Sequence, residues 1–319
     1  MLGRSLLAGL LLLTGAFATR AEYPDKPVKI VVPVATGGGV DVMARLFAEK
    51  AAPMLGVPVI VENRAGASGT IGGLTVKQSL PDGYTLLFAP LTHVMANRVL
   101  KSVPYSALDD FTTIARVAET PNMAVLSIKM PQTTLSEVAA AARANPAEWT
   151  AATSGLGSSG HVLAIQFRNL SKADLTITPY RGTAPALTDV MGGHVQLLFD
   201  AMITLLPPAR SGKVRALAIS TEKRSALAPE VPTAAESGMP ELTFTSWLGF
   251  FGPKGLPQDV VTKLNTTLTA AGKALAAEQR LAPHGAEPVA ETPDDFARFV
   301  RAQVERNSKI LDSAGFQPQ

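Results

Sequence analysis

The stretch VKIVVPVATGGGVDVMARLF, residues 28–47, decides the fold. It opens with a β-branched run, Val28-Lys29-Ile30-Val31-Val32, which Pro33 ends. A glycine-rich turn follows, and from Val42 apolar residues recur at helical spacing through Met43, Ala44, Leu46 and Phe47. Strand, loop, helix is the reading. Ligands of open α/β sheets bind at the carboxyl edge of the strands, where this loop stands. Gly37, Gly38 and Gly39 carry no Cβ to hold a ligand off the backbone. First-turn N–H groups of the following helix lack intrahelical partners and are partly positive. Ala35, Thr36 and the three glycines therefore form a candidate seat for an anion, and a carboxylate fits. Asp41 would repel such an anion if it faced inward, so its expected task is to accept from nearby backbone N–H groups and fix the loop.

The unit recurs outward from this stretch. Residues 57–61 are an apolar strand, 69–80 read as helix, and 84–88 form a strand after the turn Pro81-Asp82-Gly83. A second series begins with a strand near 124–127, a helix over 135–144, a strand near 149–152 and a helix over 161–170. It continues through 175–180, 184–191, 195–199 and 214–219. Strands alternating with helices imply parallel, doubly wound sheets, and the length of the chain asks for two of them. After the proline-rich stretch 228–240 the pattern changes to two long helices, 257–280 and 293–313, each with proline in its first turn. They have no sheet of their own to cover and are expected to pack back on an earlier lobe.

The amino-terminal residues 1–21 combine one charge, Arg4, with an apolar run and then small residues, the pattern of a secretory signal peptide. Cleavage after Ala18 and after Ala21 both satisfy the small-residue rule, and the second is favoured because Glu22 starts a polar segment. A periplasmic location follows. There is no cysteine, which excludes disulfides, thiolate catalysis, a lipid-modified cysteine and cysteine-ligated metals. Without Arg4 and Arg20 the formal charge falls from +3 to +1, and no basic run or aromatic stripe suggests nucleic acid.

Two further strand-to-helix segments carry candidate chemistry. Thr153-Ser154-Gly155-Leu156-Gly157-Ser158-Ser159-Gly160-His161 is rich in hydroxyls and backbone N–H groups. Gly155, Gly157 and Gly160 match G-x-G-x-x-G, but a dinucleotide site needs an acid at the carboxyl end of the next strand, and Asp174 precedes that strand. A second anion cradle remains, with Ser154, Gly155, Gly157 and Ser158 as its parts and His161 as a ligand-side donor. In Tyr180-Arg181-Gly182-Thr183, Arg181 is placed to pair bidentately with a carboxylate, and Thr183 to donate a hydroxyl or cap the helix. Asp200 stands at the same sheet edge and either accepts from a ligand amine or hydroxyl or holds a loop.

Catalytic constellations fail. Neither Ser68, Ser154, Ser158 nor Ser159 sits in a G-x-S-x-G elbow. His93, His161, His194 and His284 are dispersed, with no metal-ligand spacing. The expectation is a binding protein without cofactor or metal, not an enzyme, and a monomer.

These residues also carry a resemblance. The chain resembles the periplasmic binding proteins of tripartite tricarboxylate transporters, the Bug family. The matching run starts at Tyr23-Pro24-Asp25-Lys26-Pro27 and passes through Val31-Val32-Pro33, Gly37-Gly38 and Asp41. It resumes at Val61-Glu62-Asn63-Arg64-Ala65-Gly66, Pro81-Asp82-Gly83-Tyr84, Thr92-His93, Ser154-Gly155 with Gly157 and His161, and Pro179-Tyr180-Arg181-Gly182. Gly192-Gly193, Phe199-Asp200, Gly212-Lys213-Val214-Arg215-Ala216-Leu217, Val231-Pro232-Thr233, Ser246-Trp247 and Gly285-Ala286-Glu287-Pro288 complete it.

The resemblance implies a two-lobed α/β Venus-flytrap fold of type II, each lobe a doubly wound sheet with flanking helices. It places lobe 1 at 22–122 plus 246–319 and lobe 2 at 123–245, with crossovers near 120–124 and 242–245. It implies a cleft formed by the first glycine loop, Thr92, His93, the Ser/Gly loop and the Tyr-Arg-Gly-Thr segment, closing on a small organic acid. Delivery would be to membrane subunits of a tripartite tricarboxylate transporter, or the partner would be a sensor kinase. Three departures bear on the ligand: Val34-Ala35-Thr36 where the family often has an aromatic and prolines, Val40 for a hydroxylated residue, and Ala201 for the frequent asparagine. They make the cleft less polar and suggest a less hydroxylated ligand, such as a monocarboxylate with an apolar or aromatic body.

Overall fold

The structure is a computed structural model that describes residues 23–319. The expected signal peptide lies outside the described residues, and so does the favoured cleavage point. Among the described residues no helix is long and apolar enough to cross a membrane.

The deciding stretch folds as β1 (Val28–Val32) and α1 (Gly39–Leu55). β1 buries four of its five side chains, and only Lys29 faces water. α1 buries Met43, Phe47, Ala51 and Leu55 along one row with Ala44 and Ala48 beside it, an i, i+4 stripe that lies on the sheet. Gly56 ends it in the left-handed conformation (φ 73°), where a side chain is disfavoured. β2 (Val59–Asn63) and β3 (Thr85–Ala89) flank β1, both parallel to it. α2 (Thr70–Lys77) and α3 (Leu91–Val99) complete this part of the chain.

β4 (Phe111–Ser127) is a single strand of 17 residues that serves two sheets. Its first part, to Pro121, pairs antiparallel with β9 (Thr245–Pro253), and β9 pairs antiparallel with β3. From Asn122 onward β4 pairs instead with β7 (Leu197–Ala201) and β8 (Val214–Ile219). β5 (Thr150–Thr153) lies parallel to both β7 and β6 (Thr176–Pro179). The helices α4 (Leu135–Ala144), α5 (Ser159–Ser171), α6 (Thr183–Gly192) and α7 (Met202–Arg210) belong to this second series. The long strand order is β2-β1-β3-β9-β4-β7-β5-β6, with β8 and the short β10 (Glu287–Pro288) attached to β4. The sheets are thus mixed rather than wholly parallel, because two strands carry the chain between them: β4 outward and β9 back.

Of the two long helices, the first packs back on the first sheet and the second lies across both. α8 (Gln258–Ala277) buries Val260, Val261, Leu264, Leu268, Ala271 and Leu275 in the apolar cluster that holds β1 and α1. α9 (Pro293–Ser313) does not stay on one sheet. Phe296 sets its ring against Trp247 and Phe251 of β9, while Asp312 pairs with Arg98 of α3. Beyond it Phe316 meets the ring of His161 on α5, edge to face at 5.2 Å. Its apolar face is in the core cluster that includes side chains of both sheets.

Candidate ligand-binding cleft

The carboxyl ends of β1, β3, β5, β6 and β7 open on one cleft of about 780 Å3, its mouth included. Each strand is followed by a helix, so the cleft collects helix starts from both sheets. β1 and α1 bring Val34, Gly38, Gly39 and Val40; β3 and α3 bring Pro90, Thr92 and His93. From the other sheet come Ser154, Ser158 and Ser159, then Tyr180, Arg181, Gly182 and Thr183, then Asp200, Ala201, Ile203 and Thr204. Ser246 and Leu248 of β9 complete the wall, with Gly66, Ser68 and Gly69 on the loop before α2.

Ala35, Thr36 and Gly37, read from sequence as part of the first seat, stand off the cleft wall. Thr36 and Gly37 are exposed at the tip of the loop, and Gly182 of the facing sheet packs close to the Ala35 backbone. Gly37 is left-handed (φ 87°) and turns its N–H to Asp41 Oδ2 at 2.9 Å. Asp41 is buried (2% exposed) and gathers this loop: Oδ1 accepts from Asn63 Nδ2 at 3.0 Å and Arg45 donates to both oxygens. Asn63 Nδ2 also donates to Val34 O. Burial pushes the Asp41 carboxyl up, but the bonds from Arg45, Gly37 and Asn63 outweigh it and hold the group below the ordinary range.

The second seat is built on α5. Ser158 is the N-cap, its hydroxyl accepting from His161 N at 3.0 Å, and Ser159 begins the helix. Ser159 Oγ donates to Asn122 Oδ1 at 2.6 Å, which fastens the start of α5 to β4 where that strand changes sheets. Gly157 and His161 face inward, away from the cleft. Gly157 packs against Met95 and Val99 of α3, and the His161 ring is 3% exposed, with Nδ1 accepting from Gly157 N at 3.2 Å. A donor to ligand is therefore not what this side chain supplies. Gly155 is buried beside the Tyr180 carbonyl and does not line the cleft either.

Charge in the cleft is spare. Arg181 is exposed, lines the mouth, and has no ion-pair partner among the described residues. Asp200 is 5% exposed; Oδ2 accepts from the Thr183 hydroxyl and Oδ1 from Ala201 N at 2.8 Å. Thr183 thus holds Asp200 instead of capping α6. Burial raises the Asp200 carboxyl, while hydrogen bonds from Thr183, Ala201 and Ser154 pull the other way. The Tyr180 hydroxyl is spent on Asp189 of α6, although the residue lines the cleft. His93 is 1% exposed and caged by Tyr105, Phe111 and Phe251. Burial drops its pKa to about 3, so the ring is neutral, and neither ring nitrogen has a hydrogen-bond partner among the described residues.

Sequence reasoning missed Ser159, Ile203 and Thr204. Thr204 is the most consequential, because its hydroxyl accepts from Gly39 N across the cleft. Its only signal was position: it lies in the first turn of the helix that follows Asp200.

Residues 43–316 match the family described as tripartite tricarboxylate transporter family receptor, TctC. The chain belongs to this family. Protein BugT of Bordetella pertussis is 36% identical over 297 residues, 92% of this chain and 90% of BugT. The solved periplasmic binding protein BugD superposes with a TM-score of 0.88 at 34% identity, covering 93% of this chain and all of BugD. An R. palustris protein with adipate superposes with a TM-score of 0.90 at 33% identity, again over 93% of this chain and all of that one. This family member has the two-lobed α/β fold of periplasmic binding proteins, and it is a solute-binding receptor, not an enzyme.

Proposed function

We propose that the protein captures a small organic carboxylate between its lobes in the periplasm and presents it to the membrane subunits of a tripartite tricarboxylate-type transporter. Lobe 1 is 22–122 plus 246–319 and lobe 2 is 123–245, hinged at 120–124 and 242–245, and the receptor acts as a monomer. One observation carries the reading: Arg181, which has no ion-pair partner among the described residues, and the hydroxyl-rich start of α5 share a single cleft with an apolar wall. The cation and the first-turn N–H groups of α5 favour an anion, and closure strengthens each contact by excluding water. Val34, Val40, Ala201, Ile203 and Leu248 then face the ligand body. These support a weakly hydroxylated acid, a monocarboxylate with an apolar or aromatic body.

Calorimetric titration with citrate, malate, aspartate, nicotinate, adipate and benzoate tests the reading. Binding of an apolar-bodied acid, weakened about tenfold or more in Arg181→Gln, is the expected result. Tight binding of citrate or malate alone overturns the ligand class. Absence of binding to every acid overturns the receptor function.

A further inference from the structure

Four hydroxyl caps, at the starts of α4, α5 and α9 and in the turn after β8, accept the N–H of the residue three positions on, and the one at α5 differs in chemistry. At α4, Thr134 Oγ1 accepts from Glu137 N while Glu137 Oε2 accepts from Thr133 N at 2.7 Å. At α9, Thr292 Oγ1 accepts from Asp295 N at 3.1 Å and donates to Asp295 Oδ2. In the turn after β8, Thr233 Oγ1 accepts from Glu236 N while Glu236 Oε2 accepts from Thr233 N. The first and third are reciprocal boxes, in which an acidic side chain three residues on takes a backbone N–H, whereas at α9 the acid takes the threonine hydroxyl instead. At α5 the hydroxyl is Ser158, and the residue three positions on is His161. Its Nδ1 takes the N–H of Gly157 as Glu137 takes that of Thr133.

The difference falls where the helix start opens on the cleft. Ser154, Ser158 and Ser159 line it, and so does His93, whose ring nitrogens are buried and have no hydrogen-bond partner among the described residues. An acid at position 161 would close the loop equally well but would set a negative charge within one turn of the amides offered to an anion, cancelling part of their field. Imidazole closes the loop without charge. It stays neutral because burial, aided by Arg168, lowers its pKa to about 4, and the ring of Phe316 covers it.

We propose that His161 is the positioning residue of the α5 anion seat: its Nδ1 lone pair makes the loop-closing hydrogen bond that the Glu137 carboxylate makes before α4, and its neutrality keeps the seat open to a carboxylate. This rests on the receptor reading above. His161 acts on the ligand through Gly157 and Ser158 and makes no ligand contact itself.

The test is a set of variants titrated with adipate and benzoate, with melting temperature and amide exchange at Gly157 measured on the ligand-free protein. His161→Gln keeps a neutral acceptor on a capping side chain, and is expected to bind within about threefold of wild type and to protect the Gly157 amide. His161→Leu loses the acceptor, exposes Gly157 to exchange and weakens binding about tenfold. His161→Glu differs from the glutamine variant by charge alone and is expected to bind about tenfold or more weakly than it, with Gly157 still protected. Equal affinity in the Gln and Leu variants, or in the Gln and Glu variants, overturns the assignment. If the Glu variant does not fold, the Gln and Leu pair decides. Failure of wild type to bind any acid overturns the receptor reading instead, and the Gly157 exchange measurement still judges the hydrogen bond.

Discussion

The hydroxyl of Thr204, in the first turn of α7, accepts the N–H of Gly39, the leading residue of α1, at 2.9 Å. The two helices follow strands of different sheets, so this bond spans the cleft. It gives a protein acceptor to an amide that would otherwise point at the ligand, and a methyl group on Gly39 would fall 2.2 Å from that oxygen. Thr204→Val keeps the shape and removes the acceptor. A net hydrogen bond of about 1 kcal/mol is at stake, so carboxylate affinity should fall about fivefold, as the closed population shrinks. Small-angle scattering of the ligand-free variant should show a larger radius of gyration, and Thr204→Ser should restore both. Unchanged scattering and affinity would mean that the bond has no part in closure.

Gly160 is the second residue of α5, and a Cβ there would lie 1.9 Å from the carbonyl oxygen of Phe199 in β7. Backbone cannot swing aside as a side chain can. Gly160→Ala should therefore destabilise the fold by about 3 kcal/mol through overpacking and displace the helix start from the cleft. Urea unfolding measures the first effect and titration of a carboxylate the second. A stable variant with intact binding would show that α5 can lift off β7 at little cost.

Asp41 should matter more for the loop it gathers than for its ion pair. Arg45 is half exposed, and such a pair contributes under about 1 kcal/mol. Removing the carboxylate also takes the acceptor from the Gly37 N–H and one of the two from Asn63 Nδ2, which tie the loop to α1 and β2. Asp41→Ala is expected to cost about 2–3 kcal/mol, against under 1 kcal/mol for Arg45→Ala, with denaturant midpoints as the check. Equal losses in both variants would place the energy in the ion pair.

Acid should weaken the native state through its two buried histidines. His93 and His161, ordinarily near 6.5, are held at about 3 and about 4, the first by burial alone and the second by burial with Arg168. Below 6.5 the unfolded chain binds protons that the native chain refuses, so stability is complete above that value and declines as pH falls toward 4. Each ring adds a slope of up to about 1.4 kcal/mol per pH unit. Asp200, shifted upward by burial, acts in the opposite sense above 3.8, and Asp41 adds loss only below it. The urea midpoint should be flat from pH 8 to 7 and drop between 6.5 and 4, less steeply in His161→Gln. A midpoint constant across that window would contradict the neutral, buried state of both rings.

The helical periodicity of 135–144 and 293–313 was legible to the residue, because their hydroxyl caps and apolar stripes are local signals. β4 was not, beyond its last residues. Pro121 stands in its middle, where a central strand ordinarily excludes proline, and two register shifts against β9 break the alternation of side chains. β9 was hidden by Gly249 and Gly252, whose hydrogens make room for Phe296 and Leu256. α3 and α7 follow their strands with one residue or none between, so no loop composition announced them. The same physics divides the site. Glycine and serine loops at strand ends can be read as open backbone, and Gly38, Ser154, Ser158 and Gly182 do line the cleft. Which way a helical side chain turns cannot: Thr204 reaches across the gap, and His161 folds back under its own loop.

The paired run of β4 and β9 joins the halves of the molecule by two hydrogen-bonded strands, with Asn122 and Ser220 laced together beside it. A ribbon of that kind resists sliding but yields to bending out of its plane. The jaws should thus swing about one axis and always meet in the same alignment. A guest too long for the gap would wedge them ajar rather than push them sideways, so length would be gauged by the angle at which the swing stops.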